Sequence, residues 1–366
     1  MSSYRLDAVV ITSPHNFQYY SGFITDFWES PTRPWFLILP AKGEMIAIIP
    51  EIGVPVMNRT LIPTIKSWQS PCPKDEGITL LTETLKNIGS NQKKIGWELG
   101  AETYLRMTIT DFDKLRNRLN NLEFVNASLL LWSVRMIKSA LEIDCIRTSC
   151  RIAGEAFDDM IRLLKLGDTE YSAAKKMRSA LLAKGADKVP FIAACSGFGG
   201  YDQIIVGSTE RRLDEGSVLF LDTGSVWNSY FCDFDRNYGF GSIDDSVKQT
   251  YRQVVNIMNT AIQAAKPGMK AKDLWKVMAD MVSQEADSGG NVGRFGHGLG
   301  MQLTEPPSLS DQDNTILKPG MVITIEPGIE MKNEKMIVLE ENIVITEDGC
   351  ERLSPPVREE IPIIGS

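Results

Sequence analysis

Histidine is nearly absent from this chain. Its 366 residues contain two, His15 and His297. Long apolar runs are missing too: no stretch approaches the ~18 consecutive apolar residues of a membrane-spanning helix. The six cysteines, at 72, 145, 150, 195, 232 and 350, form no CxxC pair, and a chain of this size needs no covalent staples. They are expected to be reduced thiols of a cytoplasmic protein. An excess of basic residues is also lacking. The net charge is −8, which argues against a nucleic-acid or anionic-membrane surface. The opening "MSSYRLDAVVITSP" has no basic segment followed by a long apolar run, so no signal peptide is expected. No internal repeat is evident.

What remains is an ordinary globular composition, 43% hydrophobic and 23% charged, in a chain long enough for two domains. The first third alternates short apolar runs with helical patterns. "LDAVVIT" and "PWFLILPAKGEMIAIIP" read as strands, the latter two joined by a turn at Lys42-Gly43. "LLTETLKNI" reads as a helix and "KKIGWEL" as the next strand. An α/β domain over 1–128 follows from this alternation. From 129 to 366 the pattern changes. Ser139 and Glu142 form a capping box before a long helix that ends by Gly167. "TEYSAAKKMRSALLAKG" and "KDLWKVMADMVSQEA" read as further helices, with strands at 217–224, 230–238, 321–326 and 335–346. "SPPVREEIPIIGS" reads as an extended tail.

The strands of this second part carry carboxylates where apolar residues are expected. In "GSVLFLDTGSVWNSYFCDFDRNYGFG", a two-residue turn at Trp227-Asn228 would set Asp222 opposite Asp233. Directly opposed residues on one face have Cβ atoms roughly 4.5–5.5 Å apart. Two like charges so placed force one pKa up, or hold a cation between them. The bland alternative is an exposed turn with surface aspartates; Phe220, Leu221, Phe231 and Phe234 count against it. "MVITIEPGI" ends an apolar run on Glu326, and "KMIVLEENIVIT" encloses Glu340 and Glu341. Buried glutamates are rare unless paired or bound to metal. His297 lies between two glycines in "GRFGHGLG", where the missing Cβ atoms let backbone approach closely. Four carboxylates with one imidazole suit Mn²⁺, Fe²⁺, Co²⁺ or Zn²⁺, and bridging carboxylates suit a pair of ions about 3.5–4 Å apart.

The order of these motifs, D-x10-D, then GHG, then E-P-G, then a glutamate before a "VIT" strand, resembles the superfamily of creatinase, prolidase, aminopeptidase P and methionine aminopeptidase. "LDAVVITSPHNFQYYSGF" and "RMIKSALEIDCIR" resemble the starts of its N-terminal and catalytic domains, so the likeness spans nearly the whole chain. It implies an α+β chain with a pita-bread catalytic domain behind a smaller α/β creatinase/prolidase-type domain, and a homodimer. It implies two divalent metal ions, Mn²⁺ first among them. Asp222 would bind one ion, Asp233 and Glu340 would bridge, and His297 and Glu326 would complete the other, with Glu326 as general base. Glu340 is preferred to Glu341 because it stands six residues before Thr346, as the family glutamate does. The implied reaction is hydrolysis of a C–N bond in an Xaa-Pro-type peptide, with metal-bound hydroxide attacking the carbonyl.

Three positions depart from the family pattern. Thr304 stands where a histidine follows the GHG histidine by seven residues. A second, upstream histidine has no counterpart near Ile204. Asp235 stands where threonine is common; two residues from Asp233 and on the same face, it either adds negative charge beside the metals or reaches a cationic substrate group. Lost imidazoles remove hydrogen-bond donors worth 10²–10³ in rate each. A small zwitterionic solute, handled as ectoine hydrolases or dimethylsulfoniopropionate lyases handle theirs, is therefore the alternative substrate class. His15 reads as a turn or core residue, and Cys195 and Cys232 as small apolar fillers. Arg236 reads as a partner orienting an acidic neighbour. Trp28 and Arg33, in the Pro-interrupted loop "DFWESPTRPWF", read equally as solvated residues or as a segment reaching a partner's active site.

Overall fold

A computed structural model describes residues 1–29, 33–88, 93–285 and 293–365. The chain divides into two compact units, Met1–Val134 and Arg135–Ser366. The division falls a few residues beyond 128, inside the helix Ser128–Arg135.

The first unit runs β1 (Ala8–Ile11), α1 (Pro14–Ser21), β2 (Phe36–Pro40), β3 (Ile46–Pro50), α2 (Val54–Met57), β4 (Thr64–Trp68), α3 (Ile78–Lys86), β5 (Lys94–Trp97), α4 (Ile109–Arg118), β6 (Glu123–Asn126) and α5 (Ser128–Arg135). Its six strands form one sheet in the order β4-β3-β2-β1-β5-β6. Both faces are covered, so the central strands β1, β2 and β3 read as continuous apolar runs. Val9, Ile11, Leu37 and Ile49 face one layer with Phe17 and Leu131; Val10, Phe36, Ile38 and Ile48 face the other with Leu81, Leu85 and Leu115. His15 lies in the first turn of α1 and is half-buried. Trp28 is no solvated loop residue. Its ring packs edge-on against Phe17 and Trp35, at 5.5 and 5.7 Å. Arg106 donates to the carbonyl oxygens of both Trp28 and Arg33, closing the two ends of their loop, whose residues 30–32 lie outside the described residues.

The second unit runs α6 (Ala140–Leu163), α7 (Glu170–Ala183), β7 (Lys188–Phe198), β8 (Ser217–Trp227), β9 (Tyr230–Phe231), β10 (Phe234–Phe240), α8 (Asp245–Ala264), α9 (Ala271–Glu285), β11 (His297–Gly298), β12 (Glu305–Ser308), β13 (Val322–Ile325), β14 (Gly328–Glu330), β15 (Met336–Val338), β16 (Glu341–Ile345), β17 (Cys350–Arg352) and β18 (Ile363–Ile364). The Ser139–Glu142 capping box starts α6, and a second box, Thr169–Ser172, starts α7. One sheet has the order β18-β10-β8-β7, with β9 extending the β8 hairpin; another has the order β12-β11-β13-β16-β17. The tail is thus anchored, because Ile363 and Ile364 pair parallel with β10. Along β8 alternate residues face opposite layers: Leu219 and Leu221 join the buried faces of α6 and α7, while Val218 and Phe220 join those of α8 and α9. Asp222 continues the Val218–Phe220 side. Among the described residues, no helix is long and apolar enough to cross a membrane.

The β8–β9 hairpin differs from the expected register. Val226 pairs with Phe231 and Trp227 with Tyr230, so the turn is Asn228-Ser229. Both turn residues have positive φ, 49° and 71°. A tight hairpin turn of this hand needs positive φ at both centres, which Asn tolerates and a bulky Trp resists. The pairing moves by two residues: Asp222 faces Asp235, not Asp233. A shift of two keeps every side chain on its original face, so all three aspartates share one side.

Candidate metal centre

The six residues singled out by the sequence, Asp222, Asp233, His297, Thr304, Glu326 and Glu340, line one cavity of about 400 Å³ in the second unit. Strand β8 supplies Asp222, and the β9–β10 junction supplies Asp233. Glu326 follows the last residue of β13, and Glu340 precedes the first residue of β16. These are neighbouring antiparallel strands, with Ile325 paired to Glu341.

The glycines beside His297 have a steric role. Gly296 has φ +134°, and a Cβ there would lie 2.2 Å from the Thr324 oxygen; a Cβ at Gly298 would lie 2.2 Å from the Pro306 oxygen. His297 is thereby pressed between β12 and β13. Its backbone N–H donates to Thr324 Oγ1 at 3.1 Å. Its Nδ1 lies 3.0 Å from the Gly298 oxygen, a geometry in which Nδ1–H donates and Nε2 keeps its lone pair for the cavity. Nε2 points at Asp233 Oδ2, 3.3 Å away. Ligand atoms of Asp233, His297 and Glu340 all lie within 4.8 Å of one another.

Electrostatics make this cluster unstable by itself. Among the described residues, the buried side-chain polar atoms without a hydrogen-bond partner are Asp222 Oδ1, Asp233 Oδ1, both oxygens of Asp235, Glu340 Oε1, Asn237 Oδ1 and Trp97 Nε1. All but the last two are carboxylate oxygens of one cluster. Such groups cost free energy unless something satisfies them. Burial, followed by the charges of Asp233, Asp235 and Glu326, holds the Asp222 carboxyl well above its ordinary range. Burial does the same for Glu340, with Asp233 and Glu326 next in effect. Glu326 is pushed up to about 7 by burial and Asp233, against the opposing pull of His297 and Arg294. His297 is raised because its bond to Asp233 outweighs the cost of burial. Unpaired oxygens beside a correctly presented imidazole nitrogen are the donor set of a divalent cation, so the residues fit a metal.

Glu341 belongs to a different network. Its carboxylate accepts from Ser354 Oγ, from Val357 N at 2.7 Å and from Arg236 at 3.3 Å. Only Glu340 faces the cavity. Arg236 also donates to the backbone oxygens of Asp235 and Glu340, tying β10 to the start of β16. Asp235 is 1% exposed and does not line the cavity.

The sequence reading missed part of the cavity wall. Phe191, Ala193, Leu303 and Val338 give it an apolar side, together with Ile204 and Ile205. Arg294 is the one cationic lining side chain among the described residues. Its position three residues before His297 was the available signal. Asn342, next to Glu341, was missed as well. Its side chain binds both the N–H and the C=O of Asp233.

Residues 144–347 match metallopeptidase family M24. The chain belongs to that family. Residues 1–137 match the creatinase/prolidase N-terminal domain. The architecture is therefore an M24 pita-bread catalytic domain behind a smaller α/β domain, and M24 membership implies divalent metal ions. An Xaa-Pro dipeptidase of Pyrococcus furiosus is 28% identical over 98% of this chain and 96% of its own length. The prolidase of Pyrococcus horikoshii superposes with a TM-score of 0.85 at 26% identity, covering 99% of this chain and 97% of that one. A prolidase from Thermococcus sibiricus superposes with a TM-score of 0.88 at 24% identity, covering 98% and 95%, a likeness of fold.

Proposed function

We propose that the M24 unit is a dinuclear hydrolase of C–N bonds in short Xaa-Pro-type substrates, with Asp222, Asp233, His297, Glu326 and Glu340 as its metal ligands. The observation that carries this reading is their convergence on one cavity lined by unpaired carboxylate oxygens. The prolidase relatives support the substrate class. When bound, the ions supply Lewis-acid polarisation of the carbonyl and an activated water. Asp233 and Glu340 would hold the ions together with His297, which would offer Nε2 because its Nδ1 is engaged by Gly298. Glu326, on the wall of the same cavity, would accept the proton of the attacking water and pass it to the leaving nitrogen. Thr304 lines the same cavity, and its hydroxyl would donate to the substrate carbonyl. The six cysteines are unbridged, in keeping with a reducing, cytoplasmic setting.

One observation favours a second reading. Ile204, Ile205 and Thr304 line the cavity, so its wall carries no imidazole besides His297. A pocket for a small zwitterionic solute would need no further donor at those positions. The test is turnover by Mn²⁺-loaded protein of X-Pro dipeptides and solute-type amides side by side, with Glu326→Gln as control. Hydrolysis of the dipeptides, reduced about 10²-fold or more in the control, supports the first reading. Conversion of a solute with no dipeptide cleavage above the control supports the second and removes the first.

A further inference from the structure

Asp235 has an ambiguous chemistry in sequence and a defined place in the structure. It faces Asp222 directly across the β8–β10 ladder. Such a pair has Cβ atoms roughly 4.5–5.5 Å apart on one sheet face, close enough for both carboxylates to reach one ion. Asp233, two residues earlier in the same chain segment, lies on the same side.

Three observations decide what Asp235 addresses. It is 1% exposed and does not line the cavity, so a substrate group in the cavity does not reach it. Both of its carboxylate oxygens lack a hydrogen-bond partner. The adjacent cation does not neutralise it through a hydrogen bond either, because Arg236 donates to the Asp235 backbone oxygen and to the Glu341 carboxylate. A buried carboxylate with two empty acceptors, opposite one proposed ligand and two residues from another, stands where a cation held by those ligands would satisfy it.

The geometry points to Asp235 as a sixth side-chain ligand of the metal centre, beside Asp222 on the same sheet face. This rests on the metal-centre reading above. The sixth ligand makes the set five carboxylates and one imidazole. Hard oxygen donors in greater number favour Mn²⁺ over Zn²⁺, which is content with four ligands and binds nitrogen well. Asp235 is thus a determinant of metal selectivity, and its effect on substrate turnover passes through the ion it holds.

The test is direct metal titration of metal-stripped wild type, Asp235→Asn and Asp235→Thr, with Mn²⁺ and with Zn²⁺. The expected result is a loss of Mn²⁺ affinity of about tenfold or more in both variants, with a smaller loss for Zn²⁺. Unchanged Mn²⁺ affinity in either folded variant would overturn the assignment. Crystals of wild type soaked in Mn²⁺ give a readout that needs no variant. Asp235 oxygen at about 2.0–2.3 Å from an anomalous peak is expected, since Mn²⁺ takes oxygen ligands at distances between those of Mg²⁺ and Ca²⁺. A peak held by the other five residues with Asp235 turned away would overturn the inference and leave the metal centre standing. Wild type that binds no divalent ion would instead remove the metal-centre reading itself.

Discussion

The side chain of Asn342 clasps the backbone of Asp233 at both polar groups: Oδ1 accepts from Asp233 N at 3.0 Å, and Nδ2 donates to Asp233 O. Asn342 stands two residues after Glu340, so one amide fixes the spacing of the two residues proposed to bridge the ions. Asn342 is fully buried, and Cys150 Sγ lies 3.4 Å from its Oδ1. Asn342→Ala leaves a buried N–H and a buried C=O unpaired. Thermal or denaturant unfolding should show a loss of about 2 kcal/mol or more, since each orphaned group costs about 1–3 kcal/mol. Metal affinity should fall with it. Stability within about 0.5 kcal/mol of wild type would mean that the clasp contributes nothing.

The adjacent pair Glu340 and Glu341 should behave oppositely when neutralised. Glu340→Gln removes one repelling charge from a crowded cluster, so the metal-free protein should keep or gain thermal stability while losing metal binding. Glu341→Gln disturbs contacts with Ser354, Val357 and Arg236, and should lower stability while leaving the metal ligands in place. Melting curves of both variants, with and without Mn²⁺, check this. Reversed behaviour would exchange their roles.

The metal-free protein should become less stable as pH rises. Glu326 has its folded pKa at about 7 against an ordinary 4.5, and Asp222 and Glu340 are shifted the same way. A raised carboxyl destabilises the fold once it must ionise, so the contribution of Glu326 is full below about pH 4.5 and is lost as pH climbs through about 7. His297, also raised, contributes with the same sign. Bound metal relieves the repulsion, so the gain in Tm from Mn²⁺ should widen over this window, and chelator should abolish it. A metal-free Tm that stays flat or rises across the window contradicts this. Glu326→Gln should flatten part of the slope.

The residues of this candidate site are legible in the sequence for a physical reason. Charged groups inside apolar strands are costly, so Asp222, Asp233, Glu326 and Glu340 stood out in their surroundings, and the glycines around His297 pointed to tight packing. Less visible was geometry that depends on one turn. The Asn228-Ser229 turn moved the partner of Asp222 from Asp233 to Asp235 without changing any residue's face. Strand β7 was missed because Pro190 and a run of small residues weaken its pattern; the structure places a register shift there, between Lys188 and Phe191. The aromatic packing of Trp28 depends on Phe17 and Trp35, which no local pattern in the loop reveals.

Thr304 separates the two substrate classes. A hydroxyl donates one hydrogen bond but is shorter than an imidazole and carries no charge. If the substrate is an Xaa-Pro peptide, Thr304→His should raise dipeptide turnover by about 10-fold or more, the scale of a single oxyanion donor. If the cavity serves a small zwitterion, the same ring should fill space the substrate needs, abolish the native reaction and yield no peptidase. Steady-state kinetics on both substrate types read the difference, and a variant indistinguishable from wild type on both would place Thr304 outside the reaction.

Whether these five dispersed residues make one divalent-metal centre is decided by anomalous scattering from crystals equilibrated with Mn²⁺. Two peaks about 3.5–4 Å apart are expected within reach of Asp222, Asp233, His297, Glu326 and Glu340. Absence of a peak among these residues at millimolar Mn²⁺, or Mn²⁺ bound only elsewhere, would contradict it.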